Sequence, residues 1–122
     1  MKHNFKELRI WQLGVEICRL VYPMVKRFPD FERFELSSQI RRAAVSMPSN
    51  IAEGCGRGTN AQLVHFLDIA LGSSCELETQ MLLAYEFGYC TPEEYTNFLD
   101  LLIEFQRKTR SFRDKAALQD VF

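Results

Sequence analysis

Apolar residues recur every three or four positions through almost the whole chain, and that period predicts four helical segments. In the first, residues 5–28, the expected apolar stripe is Leu8, Trp11, Val15, Cys18, Val21 or Tyr22, and Val25. Pro23 falls inside it and offers no N–H to the carbonyl of Arg19, so a kink or an early end is expected there. Phe28-Pro29-Asp30 then stops the segment. In the second, residues 34–57, Leu36, Ile40, Ala43, Met47 and Ile51 form the stripe, and Ser38, Arg42, Ser49 and Glu53 form a polar face. Pro48 leaves the carbonyl of Ala44 without its usual partner. A bend is expected rather than a break, because the stripe keeps its phase across the proline. Gly54, Gly56 and Gly58 are expected to unwind the end of this segment.

The third segment, residues 60–87, opens on the capping box Thr59-Asn60-Ala61-Gln62. Leu63, Leu67, Ala70, Ser74, Leu77, Met81 and Ala84 follow at alternating spacings of four and three, the seam of a bundled helix. Val64, Phe66, Ile69, Leu71, Leu82 and Leu83 are apolar off that seam. A helix apolar on more than one face either lies central to a large core or is also covered by another subunit. A chain of 122 residues has no deep centre, which favours a second subunit. Gly88 supplies the stop.

The fourth segment, residues 92–117, opens on Thr91-Pro92-Glu93-Glu94: a cap, a proline at the first helical position and a glutamate at the third. Its stripe is Tyr95, Leu99, Leu102, Phe105, Thr109 and Phe112. Arg107, Lys108, Arg110, Arg113 and Lys115 are read as a solvated, dipole-compatible helix end, with a ligand site as the alternative. The tail beyond Leu118 is expected to fray. Four long helices with short connections stack most simply as an all-α, antiparallel up-down-up-down four-helix bundle, a single domain over residues 1–122.

Composition narrows the function. The opening Met1-Lys2-His3-Asn4 does not lead into the apolar core of a secretory signal, so a cytoplasmic location is expected. No stretch approaches the roughly 18 uninterrupted apolar residues of a membrane span. The four cysteines, Cys18, Cys55, Cys75 and Cys90, include no CxxC pair and read as free thiols in a reducing compartment. Residues 1–60 hold ten Lys/Arg against six Asp/Glu, and residues 61–122 hold five against ten. Either the two halves attract each other, or the first half carries a basic face.

Candidate chemistry is sparse, and no catalytic residue, metal or cofactor is expected. Glu53, Glu76 and Glu78 lie on helices, but the Glu-x-x-His motif of di-metal bundles is missing. Arg57 and His65 are the residues of a small-ribonuclease reading, yet they stand on either side of a glycine break. Gly54-Cys55-Gly56-Arg57-Gly58 lacks the strand, lysine and hydroxyl residue of a phosphate loop. Arg41 and Arg42 point about 100° apart. They are candidates for a salt bridge with glutamate, within the bundle or across subunits, or for a phosphate.

The run Gln39-Ile40-Arg41-Arg42-Ala43-Ala44-Val45-Ser46-Met47-Pro48-Ser49-Asn50-Ile51-Ala52-Glu53-Gly54 resembles the signature of the 23S ribosomal RNA intervening-sequence protein family. Ala70-Leu71-Gly72-Ser73-Ser74-Cys75-Glu76-Leu77-Glu78-Thr79-Gln80 is similar to that family's second signature, and the likeness extends over about residues 5 to 115. The resemblance implies a homo-oligomeric bundle, typically a homopentamer. It implies no demonstrated activity. A more distant similarity to the basic pentameric accessory proteins of diversity-generating retroelements suggests RNA or DNA as a partner, although this chain carries a net charge of −1. An unidentified protein partner, in an adaptor role, is the alternative. Arg41, Arg42 and Arg57 are the candidate nucleic-acid contacts. Asn50, Glu53, Glu76 and Glu78 are expected to be structural, satisfying one another and the Ala44 carbonyl.

Overall fold

A computed structural model describes residues 3–119. Four α-helices account for most of them: α1 (Arg9–Lys26), α2 (Leu36–Cys55), α3 (Asn60–Glu86) and α4 (Pro92–Gln119). Short 3-10 turns at Phe5–Glu7 and Asp30–Glu32 precede α1 and α2. Each helix packs on its two neighbours in chain order, and α4 closes on α1. Contacts across the interfaces fix the directions. Gly14 and Cys18 face Pro48 and Ala44. Ser46 faces Ser73 while Gly54 faces Phe66. Asp68 meets Arg113, and Tyr85 stacks on Tyr95. Arg9 reaches Glu104, and Arg27 pairs with Glu94. In every interface one number rises as its partner falls, so all four neighbouring pairs are antiparallel and the bundle runs up-down-up-down. Among the described residues no helix is long and apolar enough to cross a membrane.

The expected α3 seam is buried in full, from Leu63 through Ala84. Thr59 caps α3 by accepting from the Gln62 amide at 3.2 Å. The α4 capping box is reciprocal: the Thr91 hydroxyl accepts from the Glu94 amide, and the Glu94 carboxylate accepts from the Thr91 amide. At the end of α3, Gly88 adopts a φ of +81°. There the Tyr89 amide bonds the Ala84 carbonyl and the Gly88 amide bonds that of Tyr85, a Schellman turn.

Three expectations need correction, and one open alternative is decided. The first part of the α1 stripe is rotated: Ile10, Leu13, Ile17 and Met24 fill the core together with the expected Val21 and Val25, whereas Leu8, Trp11, Val15 and Cys18 are only half-buried. Both sets have helical spacing, and the core takes the one opposite the other three helices. Pro23 does not end α1, which continues to Lys26. Gly54 does not unwind α2; it is buried within the helix, where a Cβ would stand 3.0 Å from Phe66 Cβ, so α3 approaches closely there. Finally, α4 runs to Gln119, with Leu118 and Gln119 still helical. Arg107, Lys108 and Arg110 therefore lie far from the helix end, and the helix-dipole reading of that cluster does not hold. Instead Lys108 pairs with Glu104, and Arg113 pairs with Asp68 and Asp114. The tail residues 120–122 lie outside the described residues.

Candidate nucleic-acid interface on the outer face of the second helix

The site is organised by Pro48. Its ring sits against Gly14 of α1, where a Cβ would come within 3.2 Å of the ring. One turn further along α1, the Cys18 thiol donates to the Ala44 carbonyl at 3.2 Å. Burial pushes that thiol up to about 11, so it keeps its proton and remains a donor. The carbonyl freed by the proline is thus satisfied by a thiol of the neighbouring helix. The expected partners, Asn50, Glu53, Glu76 and Glu78, play no part in it.

Those four residues do not satisfy one another either. Asn50 donates to the carbonyl and the hydroxyl of Ser46, both at 2.8 Å. The Ser46 hydroxyl in turn meets that of Ser73 on α3 at 2.7 Å. Glu53 is exposed and pairs with Arg57 at 2.9 Å. Glu78 accepts from Gln106 of α4 at 3.0 Å. Glu76 is exposed. Sequence placement on α3 could not separate Glu76 from Glu78; the 200° between them sends one toward the α2 side and the other toward α4.

With the small side chains Ala43, Ser46 and Ser73 at its floor, the α2–α3 interface leaves a surface groove of about 660 Å³, also lined by Gln39, Arg42 and Glu76. A second depression, about 520 Å³, lies on the α1 side of the same helix, between Tyr22, Ser38, Arg41, Arg42 and Val45. A third, about 260 Å³, includes Arg41 together with Lys26 and Arg33. The second shares Arg42 and Ser46 with the first and Arg41 with the third, so the three form one continuous path across the outer face of α2.

The path gathers four cations that have no carboxylate partner among the described residues, with Glu76 and Asp30 as the acidic residues of its lining. Arg9, Arg27, Arg57, Lys108 and Arg113 are in ion pairs. Among the described residues, none of Lys26, Arg33, Arg41 and Arg42 has a carboxylate within 4.0 Å. Arg42 is exposed, and Arg41 is half-buried with one guanidinium nitrogen directed at the Arg33 carbonyl, 3.4 Å away. The expected Arg–Glu bridge within the bundle is therefore not made. Sequence reasoning missed Tyr22, Lys26 and Arg33; the excess of base over acid in the first 60 residues was their one signal.

Arg57 stands apart. Glu53 neutralises it, and its guanidinium lies 4.9 Å over the Phe66 ring. His65 meets the same ring edge-on at 5.1 Å. The depression beside Arg57 is lined by Ser49, Ala52, Glu53 and Gly56, with His65 outside it. Among the described residues no three His, Cys, Asp or Glu side chains gather as a metal-binding group.

A comparison with curated proteins returned no match. Among solved structures, the chain is similar to a protein of unknown function from the S23 ribosomal protein family of Bacteroides thetaiotaomicron VPI-5482. The two share 25% identity and a TM-score of 0.76, over 85% of this chain and 97% of the other. The family model for the 23S rRNA-intervening sequence protein matches residues 6–111, which include the whole of α1, α2 and α3 and the path across α2. The chain therefore belongs to the 23S rRNA-intervening sequence protein family.

Proposed function

We propose that this protein acts by binding rather than by catalysis, as a homo-oligomeric helical bundle that holds structured RNA or DNA on the outer face of α2. One observation carries the reading: Arg41 and Arg42, adjacent in sequence, line a continuous surface path and neither is neutralised by a carboxylate. Unpaired guanidinium groups beside serine hydroxyls suit phosphate oxygens, and Tyr22 offers a ring beside them. The net charge of −1 means that the attraction is local, so a modest patch gains from repetition around an assembly.

The test is the affinity for a labelled structured RNA at two salt concentrations, for wild type and for Arg41→Glu/Arg42→Glu. Each phosphate contact adds roughly 0.7 to 0.9 to the slope of log affinity against log salt. The double variant is expected to lose most of the affinity and about two contacts' worth of slope while keeping its helical content and assembly state. Absence of binding by wild type at low salt would remove the nucleic-acid reading. It would favour a protein partner instead, for which the exposed rings of Phe31, Phe34 and Phe87 are the supporting observation.

A further inference from the structure

The corner where α1 turns into α2 encloses the third depression, and its lining has the composition of an anion site. Lys26 comes from the last turn of α1, Arg33 from the connection and Arg41 from the second turn of α2. None of the three is in an ion pair among the described residues. The hydrogen bond from Arg41 to the Arg33 carbonyl holds its guanidinium at this corner and uses one of five donors. Ser37 lines the same cavity and is only 3% exposed.

The start of α2 adds donors. Glu35 occupies the N-cap without a side-chain cap bond. The amides of Leu36, Ser37 and Ser38 have no partner among the described residues, and Ser37 of these lines the cavity. The wall behind is apolar: Val25 and Phe28 are buried and raise no competing hydrogen bonds. One carboxylate, that of Asp30, also lines the space.

We propose that this cavity binds a phosphate group, with Lys26, Arg33 and Arg41 supplying the charge and Ser37 and the first amides of α2 supplying hydrogen bonds. Three cations and one carboxylate leave two positive charges, and the helix end adds about half of one more. That balance suits the dianion of inorganic phosphate or a phosphate monoester better than the single charge of a backbone diester. A volume of about 260 Å³ admits the group with its first waters. The inference goes beyond the nucleic-acid reading, because the anion would bind here whether or not RNA does. A free phosphate and the terminal phosphate of a nucleic acid share this chemistry.

The experiment is a titration of the full chain with sodium phosphate at constant ionic strength, balanced by chloride, following backbone amide resonances. The amides of Leu36, Ser37 and Ser38 are expected to shift and saturate, more tightly at pH 8 than at pH 6, where less of the phosphate is dianionic. Lys26→Gln/Arg41→Gln should weaken the binding by about tenfold or more while leaving the rest of the spectrum in place. Ser37→Ala should weaken it less. Shifts that do not saturate, that spread evenly over all basic residues, or that persist in the double variant would overturn the site. Competition then separates the sources. A 5′-phosphorylated oligonucleotide that displaces phosphate far better than its 5′-hydroxyl form supports the site with a nucleic-acid terminus as its ligand. Equal, weak competition by both supports it with free phosphate as the ligand. Saturable phosphate binding with no RNA binding at all would remove the nucleic-acid reading and leave the pocket standing.

Discussion

Pro48, Gly14 and Cys18 form a unit in which each residue answers a problem set by another. The proline removes a helix hydrogen bond; the glycine admits the ring; the thiol, one turn on, takes the orphaned carbonyl. Gly14→Ala tests the packing. Alanine favours a helix interior by about 1 kcal/mol. Against that, its Cβ would meet a ring locked to the backbone at 3.2 Å, and such overpacking costs about 1–3 kcal/mol. The expected net is a destabilisation of about 1 kcal/mol by chemical denaturation, and a more stable variant would show that the two helices can separate freely. Cys18 gives a second test. In the folded chain its thiol keeps its proton to about 11, whereas an unfolded thiol ionises near 9.0. The folded state thus holds the extra proton between those values, and stability falls as pH rises through that window. At pH 8, mass spectrometry after brief alkylation should find the exposed Cys75 modified and Cys18 untouched.

At the scale of the element, helix ends are set by local chemistry and then tied to distant helices. Glu94 is the example. It completes the α4 capping box, and it also pairs with Arg27 just past the end of α1. Arg27 foremost, then the Thr91 amide, holds its carboxyl below the ordinary 4.5. A depressed carboxyl contributes stability above its unfolded value, and that contribution disappears as pH falls through the folded value. Glu94→Gln should therefore be less stable than wild type at pH 7, with the difference shrinking below about pH 4.5. A gap that stays constant across the acid range would show that the charge contributes nothing. A similar tie joins the Asp30–Glu32 turn to the α3–α4 connection, where the Tyr89 hydroxyl donates to the buried Glu32 carboxylate at 2.8 Å. Burial, then Glu32 itself, raises the Tyr89 phenol above its usual range.

For the whole molecule, the question is what lies against the outer faces. The apolar excess of α3 is only partly used within the chain. Leu71 is buried, whereas Ile69, Leu82 and Leu83 remain 38%, 40% and 38% exposed. If copies assemble through these exposed α3 side chains, Ile69→Glu/Leu83→Glu should sediment as a folded monomer where wild type does not. A wild type that is monomeric at micromolar concentration would sink the assembly part of the proposal. The RNA test on Arg41 and Arg42 belongs to the same scale, because one patch repeated around an assembly binds far more tightly than one alone.

Much of this architecture was legible along the chain. Capping boxes, the Gly88 stop and the four-three seam of α3 depend on residues within a turn or two of each other, so periodicity and local hydrogen bonding determined four helices, their order and the polar face of α2. The phase of α1 was not legible, since Ile10-Leu13-Ile17 and Trp11-Val15-Cys18 are both helical stripes and only the neighbouring helices choose between them. The tertiary structure also decided that Cys18 serves the Ala44 carbonyl, that Arg57 is neutralised while Arg41 and Arg42 are not, and that Lys26, Arg33, Ser37 and Arg41 share one cavity. The physical reason is range. Helix formation is settled by contacts a few residues apart, whereas the partner of a charge or an orphaned carbonyl depends on how two helices register.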